Sequence, residues 1–250
     1  MEAWEKERAE KNRALITGSD TERLSRYAHD LVDGLAKVKS LPEGVTIFGS
    51  ARLGPNSPWY DKARELGAKL AQNNHPVITG GGPGIMEAAS RGAFENHGQS
   101  IGFNIHLATE QDLNPYTTDS MEFHYFFSRK LMMTLAAKVY VFFPGGFGTM
   151  DEFSELLELK HTGKNGNVPM FLFGSSFWRG LDKWYAGPMS DLHLIETGRV
   201  GEQDEIDPSK TGEGFIEKFI QSYSKDFRNP AADEKIEKPA GLARDLYRIT

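Results

Sequence analysis

The chain has 250 residues, no cysteine and a net charge of −6, from 29 Lys and Arg residues against 35 Asp and Glu residues. The missing cysteines exclude disulfides, thiolate metal sites and cysteine nucleophiles, and the negative charge argues against sequence-independent binding to nucleic acid. The opening residues, MEAWEKERAEKNRALIT, are too charged for a signal peptide, and no run approaches the roughly 18 apolar residues of a membrane span. We therefore expect a cytoplasmic protein with no nucleic-acid or membrane partner.

Helical periodicity dominates the first 40 residues. Apolar residues recur there at spacings of three and four, and Ser19 with Glu22 fits a capping box that starts a second helix after a break at Gly18. Beyond residue 43, short β-branched or aromatic runs alternate with helical stretches. Predicted strands are 44–50, 75–81, 98–105, 138–146 and 168–174, and predicted helices are 60–73, 85–96, 129–137, 149–162, 177–185 and 215–223. The stretch 121–127 fits either a further strand or an extended lead-in to Arg129.

This alternation predicts the fold class. Apolar strands separated by helices indicate an α/β protein, a Rossmann-like open parallel sheet flanked by helices on both faces. We expect an N-terminal helical extension over 1–40, the Rossmann-like domain over 41–224 and a C-terminal extension over 225–250. One domain is expected at this length, with two small ones as the alternative. Such sheets bind ligands at the carboxyl ends of their strands.

Two strand-to-helix junctions are rich in glycine. They contain Gly80, Gly81, Gly82 and Gly84 in the first, and Gly145, Gly146 and Gly148, followed by Thr149, in the second. Glycine admits positive φ and close backbone approach, while the helix that follows points unsatisfied N–H donors at the same place. Neither loop has the spacing of a Walker or dinucleotide motif. A third turn, at Gly49 and Ser50, also follows a strand. The convergence of three turns favours a nucleotide or phosphosugar site, and plain tight turning is the alternative for any single loop.

Two acids follow the second loop. If Gly148 or Thr149 caps the helix, Glu152 lies in its first turn, where the helix dipole favours an ionised carboxylate. Simple compensation of the dipole by Asp151 and Glu152 is the alternative. Phe147, inside the loop, is expected to line a base pocket. The other aromatic residues considered are expected in the core: Phe126, Phe127, Phe142 and Phe143.

The motifs resemble those of a known family. PGGFGTMDE at 144–152 matches P-G-G-x-G-T-x-x-E, the signature of the LOG family of cytokinin riboside 5′-monophosphate phosphoribohydrolases, and the segment 80–93 resembles its companion glycine motif. The run SRK at 128–130 resembles the Arg-Lys pair that the family places at a helix start before the signature. Plant-type members usually carry Glu where this chain has Ser128. The resemblance covers about residues 44–187.

The resemblance implies hydrolysis of the N-glycosidic bond of a nucleoside 5′-monophosphate, giving free base and ribose 5-phosphate. It implies that Arg129 and Glu152 are the catalytic pair, with the carboxylate stabilising an oxocarbenium-like sugar or orienting water and the arginine gripping phosphate or ribose oxygens. Lys130 is expected to help bind the phosphate, with a solvated surface lysine as the alternative. AMP is the expected substrate, because the termini outside the family core leave a cytokinin specificity unsupported. No cofactor is implied.

Other functions fit the same residues. Molybdenum-cofactor carrier proteins share this fold and a similar glycine loop without turning their ligand over, and a nucleotide-sensing module is a further alternative. The seven histidines are scattered without an H-E-x-x-H motif, so no metal site is expected. The resemblance also implies a homodimer or higher homo-oligomer. Its expected face lies on the helix after the second loop, whose apolar residues are Phe153, Leu156, Leu157 and Leu159, with sheet packing as the alternative.

Overall fold

The computed structural model describes residues 18–105, 113–165 and 168–195. In these ranges the strands are β1 Gly44–Phe48, β2 Val77–Thr79, β3 Ser100–Ile105, β4 Asp119–Phe123, β5 Ala137–Phe142 and β6 Met170–Leu172. The helices are α1 Asp20–Ser40, α2 Pro58–Gln72, α3 Ile85–Glu95, α4 Phe126–Leu135, α5 Phe147–His161 and α6 Ser175–Trp184, with a π-helical turn at Tyr185–Met189. The predicted helix before Gly18, the helix predicted at 215–223 and the C-terminal extension lie outside the described residues.

The described residues fall into two compact units that divide between Val139 and Tyr140, inside β5. In the first unit the strands follow the order β4-β3-β2-β1 and then the beginning of β5. The pairs β1–β2, β2–β3 and β3–β4 are parallel. In the second unit β5 pairs in parallel with β6, from Tyr140 opposite Met170 to Phe142 opposite Leu172. The predicted Rossmann-like α/β fold with a parallel sheet flanked by helices is confirmed.

Burial explains why β1, β2 and β3 are largely apolar. Every residue of β1, β2 and β3 is buried, as expected for strands that helices cover on both faces. Helix α2 packs on α3, and α1 packs on α4. A β-carbon on Gly34 of α1 would lie 2.8 Å from Cγ of Met132 on α4, so this glycine allows the second pair of helices to approach closely.

Helix α1 begins where the sequence predicts. The Glu22 amide donates to Ser19 Oγ at 3.3 Å, and the Ser19 amide donates to Glu22 Oε2 at 2.8 Å, which completes the capping box. The bond from the Ser19 backbone lowers the pKa of Glu22. Gly18 has a φ of +126°, which fits the predicted break. Of the helices that the structure describes, none is long and apolar enough to cross a membrane.

The segment around β4 differs from its predictions. A strand does form, but it ends at Phe123, and α4 begins at Phe126 rather than at the predicted Arg129. Phe126 and Phe127 therefore lie on a helix, 54% and 50% exposed, and their predicted place in the core is wrong. Phe142 and Phe143 are fully buried, as predicted. An aromatic run predicts a strand when it is read alone, and tertiary contacts decide where the run becomes helical.

The start of α5 also differs from its prediction. The helix begins at Phe147 with Gly146 as its N-cap, and Met150 N donates to Gly146 O at 3.0 Å. Its first turn holds no acidic residue. Glu152 lies in the second turn, so its predicted place in the first turn is wrong.

Candidate functional site

The first glycine loop leaves the end of β2 and leads into α3. Its four glycines are buried, whereas Pro83 between them is exposed. Gly81 and Gly84 have φ values of +73° and +70°, which L side chains rarely adopt, so these two positions require glycine. Gly81 N donates to Thr79 Oγ1 at 3.1 Å, which fixes the beginning of the loop on its strand.

The turn after β1 meets this loop. Ile85 N, at the start of α3, donates to Ser50 O at 3.1 Å. A β-carbon on Gly84 would overlap the Ser50 carbonyl oxygen, and one on Gly49 would lie 2.6 Å from Cγ2 of Ile85. The structure therefore brings Gly49 and Ser50 against the first glycine loop. The sequence predicts that these two turns converge.

Arg129 lies against the same loop. Its side chain is buried at 7% exposure, and its Nε donates to the carbonyl of Phe103 in β3 at 2.7 Å. Its Nη2 occupies the space that a β-carbon on Gly80 would fill. A planar guanidinium is thus fixed beside a glycine-rich loop and the N-terminus of α3. These features together form a site suited to a phosphate or another oxyanion. Lys130 follows on α4 and is half-buried.

Asn114 is a residue of this site that the sequence predictions missed. It is 5% exposed, and its Nδ2 donates to Gly81 O at 3.0 Å and to Gly82 O at 3.2 Å. Its backbone N donates to Gly81 O at 2.8 Å, while its Oδ1 accepts from Tyr116 N at 3.2 Å. Asn114 therefore holds the loop carbonyls on one side. The dipeptide Asn114-Pro115 is a turn signal that could have marked the position.

The second glycine loop belongs to the second unit. Thr149 is buried, and its Oγ1 occupies the place of a β-carbon on Gly145. Nothing lies within 4 Å of a β-carbon placed on Gly146 or Gly148. Phe147 is 97% exposed. The loop therefore presents open glycine backbone at the start of α5, and its predicted roles in phosphate and base binding remain predictions.

Lys160, like Asn114, has a role in the structure that the sequence analysis did not predict. It lies on α5, half-buried, and its Nζ donates to the Val168 carbonyl at 3.0 Å. Burial lowers the pKa of Lys160 to about 8. A lysine that loses its proton this readily can form Schiff bases, but here the ammonium group is bonded to a backbone carbonyl. This contact fits a structural lysine.

The expected dimer face on α5 is partly buried inside the second unit. Phe153 and Leu156 are 1% and 2% exposed, so packing within the unit accounts for them. The predicted homodimer remains a prediction.

Residues 86–205 match the model of a family described as "Possible lysine decarboxylase". These residues are similar to that family, and they make up a little under half of the chain. The match includes Arg129 and the second glycine loop, and it begins at Met86 in the first turn of α3. The family resemblance inferred from the motifs is confirmed.

Curated relatives are similar to part of this chain at low identity. The chain is 25% identical over 149 residues to the cytokinin riboside 5′-monophosphate phosphoribohydrolase of Rhodococcoides fascians. The alignment covers 58% of this chain and 75% of that protein. It is 27% identical over 161 residues to the pyrimidine/purine nucleotide 5′-monophosphate nucleosidase of Escherichia coli K12. That alignment covers 59% of this chain and 35% of that protein. Less than two thirds of the length of the plant phosphoribohydrolases is covered.

A solved structure adds a likeness to a carrier protein. The molybdenum cofactor carrier protein of Chlamydomonas reinhardtii is 22% identical and aligns with a TM-score of 0.45, covering 62% of this chain and 98% of that chain. This likeness is too weak to bear on function.

Proposed function

We propose that this protein hydrolyses the N-glycosidic bond of a nucleoside 5′-monophosphate, with AMP as the expected substrate. The observation that carries the proposal is the buried guanidinium of Arg129, bonded to Phe103 O and lying against Gly80 of the first glycine loop. The names of the relatives from Rhodococcoides and Escherichia, both of which act on nucleotide 5′-monophosphates, support this class of reaction.

The first unit supplies groups that suit the 5′-phosphate. The glycine backbone and the N-terminus of α3 offer N–H donors and the positive end of a helix dipole. Arg129 adds a fixed positive charge whose planar donors match two phosphate oxygens. Because Phe103 O already orients Nε, little conformational entropy is lost when the arginine binds its ligand.

The reaction needs a group that stabilises positive charge on the sugar. Water adds to C1′ while the bond from C1′ to the base nitrogen breaks, and the base leaves with a proton. Glu152 is proposed as the carboxylate that stabilises the oxocarbenium-like sugar or orients the water, on the evidence of the family signature that contains it. Arg129 is proposed as its catalytic partner.

Adenine release from AMP tests the proposal. The native protein is assayed beside Arg129→Ala, Arg129→Lys and Glu152→Gln, with ribose 5-phosphate measured as the second product. We expect release by the native protein and a loss of about 100-fold or more in Arg129→Ala and Glu152→Gln. Arg129→Lys should recover little, because an ammonium cannot reproduce the two-pronged contact. The proposed hydrolase activity would be overturned if the protein bound AMP but released no base from AMP, CMP, GMP or a cytokinin nucleotide. A carrier or sensor function would then remain.

A further inference from the structure

Helix α4, which carries Arg129, begins without a cap of its own. Its N-cap residue is Tyr125, in an extended conformation with φ −128° and ψ 142°, and that side chain makes no capping hydrogen bond. The first turn contains no acidic residue. The first N–H groups of a helix need acceptors from elsewhere, and a buried start without them is costly.

Asp30, on a distant helix, supplies acceptors to the N-cap residue Tyr125, to His124 before it and to the Ser128 side chain in the first turn. It lies on α1, its side chain is fully buried, and it is separated from its partners by 94 to 98 residues of sequence. Its Oδ2 accepts from His124 N at 3.0 Å, from Tyr125 N at 3.1 Å and from Ser128 Oγ at 2.6 Å. Its Oδ1 accepts from His124 N at 3.2 Å and pairs with His124 Nδ1 at 2.8 Å. One carboxylate thus holds the entry to α4 and its first turn, where the helix dipole also favours negative charge.

A metal site is the competing reading of these residues. Potential ligand atoms of His29, Asp30 and His124 lie within 4.8 Å of one another. However, both oxygens of Asp30 already accept hydrogen bonds from N–H or O–H groups, and His29 Nδ1 pairs with Asp33 Oδ2 at 2.7 Å. These contacts fit a helix cap better than a set of ligands waiting for a cation.

The cap bears directly on the arginine. Ser128, which Asp30 holds, immediately precedes Arg129, and Arg129 N donates to Tyr125 O at 3.2 Å in the same first turn. The side chain then reaches Phe103 O with its Nε. Arg129 is therefore held at its backbone through the capped turn and at its side chain by β3. A shift of the turn would move the guanidinium relative to Gly80.

We infer that Asp30 is a positioning residue for Arg129. Helix α1 precedes the family match at 86–205, so this chain draws part of its site from outside that region. The inference rests on the proposed function for its catalytic consequence. The effect of Asp30 on the order of the Arg129 side chain can be measured whether or not the protein has the proposed activity.

The first experiment follows the Nε–H signal of Arg129 by NMR hydrogen exchange. Asp30→Asn keeps the volume but replaces one acceptor oxygen by a donor, and Asp30→Ala removes both oxygens. Asp33→Asn is the matched control, since Asp33 lies one turn further along α1 and its side chain is 56% exposed. We expect the Arg129 Nε–H to exchange about tenfold faster in Asp30→Asn and to be unchanged in Asp33→Asn. An unchanged Nε–H in folded Asp30→Asn or Asp30→Ala would overturn the inference.

The second experiment is a double-mutant cycle on adenine release from AMP. Asp30→Asn should lower kcat about 10- to 100-fold with a smaller change in KM, as a misplaced catalytic group does. In the Arg129→Ala background the same change should have no further effect, whereas a general loss of stability lowers kcat in both backgrounds. Equal losses in both backgrounds would contradict positioning. If the native protein releases no adenine, the proposed function fails and the Nε–H measurement still decides the role of Asp30.

Discussion

The guanidinium of Arg129 occupies the space that a side chain on residue 80 would need. Its Nη2 overlaps the position of a β-carbon on Gly80, and Sδ of Met86 would lie 2.9 Å from the same point. Glycine is therefore required at position 80 for a steric reason, although its φ lies outside the left-handed region. The loop and the arginine fit each other as a pair.

Gly80→Ala should displace Arg129 and abolish most of the activity. The added methyl group must push the guanidinium away or bend the loop, which costs about 1–3 kcal/mol. A displacement of about 1 Å at a catalytic group reduces kcat by roughly 100-fold. The measurement is adenine release from AMP, together with the free energy of unfolding in urea.

Gly54→Ala is the control for that change. Nothing lies within 4 Å of a β-carbon at Gly54, and its φ is not positive. This variant should keep both the activity and the stability of the native protein. Full activity in Gly80→Ala would show that Arg129 can leave its place at the loop without a catalytic effect.

Asn114→Ala should loosen the first glycine loop. It leaves the buried carbonyl of Gly82 without the side-chain amide that donates to it, at a cost of about 1–3 kcal/mol, while Gly81 O keeps only the bond from the backbone N of residue 114. A loop that is less ordered before binding must be ordered by its ligand, so KM for AMP should rise about tenfold. Steady-state kinetics and calorimetric titration with AMP measure the effect.

Asn96→Ala provides the comparison for Asn114→Ala. The Asn96 Nδ2 also donates to a backbone carbonyl, Gly92 O at 2.9 Å, but at the opposite end of α3. Its loss should lower stability and leave KM unchanged. A similar KM for the native protein and both variants would remove Asn114 from the binding site.

Local signals predicted the parts of the fold and site that depend on neighbouring residues. Ser19 and Glu22 satisfy each other within three residues, so the start of α1 could be read from the sequence. The glycine runs after β1 and β2 marked the loops because a strand followed by glycine and a helix forms an anion site from backbone alone. Arg129 could be predicted as a site residue only from the family resemblance, because no local rule distinguishes it from a surface arginine.

Long-range contacts set the features that could not be predicted. Helix α4 begins three residues early because its cap comes from Asp30, 94 residues before His124. The clamp by Asn114 joins two loops that are 32 to 33 residues apart. The start of α5 at Phe147 uses no side-chain cap, so its sequence held no signal of the kind that located α1.

Lys160 should make stability depend on pH in a defined window. Burial lowers its pKa to about 8 in the folded protein, while an unfolded lysine titrates near ~10.4. Between these values the unfolded chain binds more protons, so the contribution of Lys160 to the free energy of unfolding rises as pH rises through this window. Below pH ~8 the full cost of the buried charge is present.

Comparison with Lys160→Met isolates that contribution. Urea unfolding at pH 7 and pH 10, followed by tryptophan fluorescence to which the buried Trp178 contributes, should show the native protein gaining stability relative to the variant at the higher pH. Lys62→Met is the control, because Lys62 is 52% exposed and pairs with Glu65 on the surface of α2. An equal difference between native protein and Lys160→Met at both pH values would contradict the buried charge.

Alanine substitutions in the second glycine loop distinguish effects on the fold from effects on ligand binding. Gly145→Ala should destabilise the protein, because its β-carbon would overlap Oγ1 of the buried Thr149. Gly148→Ala meets nothing within 4 Å, so the fold should be unchanged. If this loop binds the phosphate as the sequence predicts, the methyl group obstructs the approach of the ligand, and KM for AMP should rise about tenfold or more. Gly180→Ala on α6, also in open space, should change neither quantity. A native KM in Gly148→Ala would mean that the ligand does not approach this backbone, and the predicted phosphate contacts of the second loop would then be wrong.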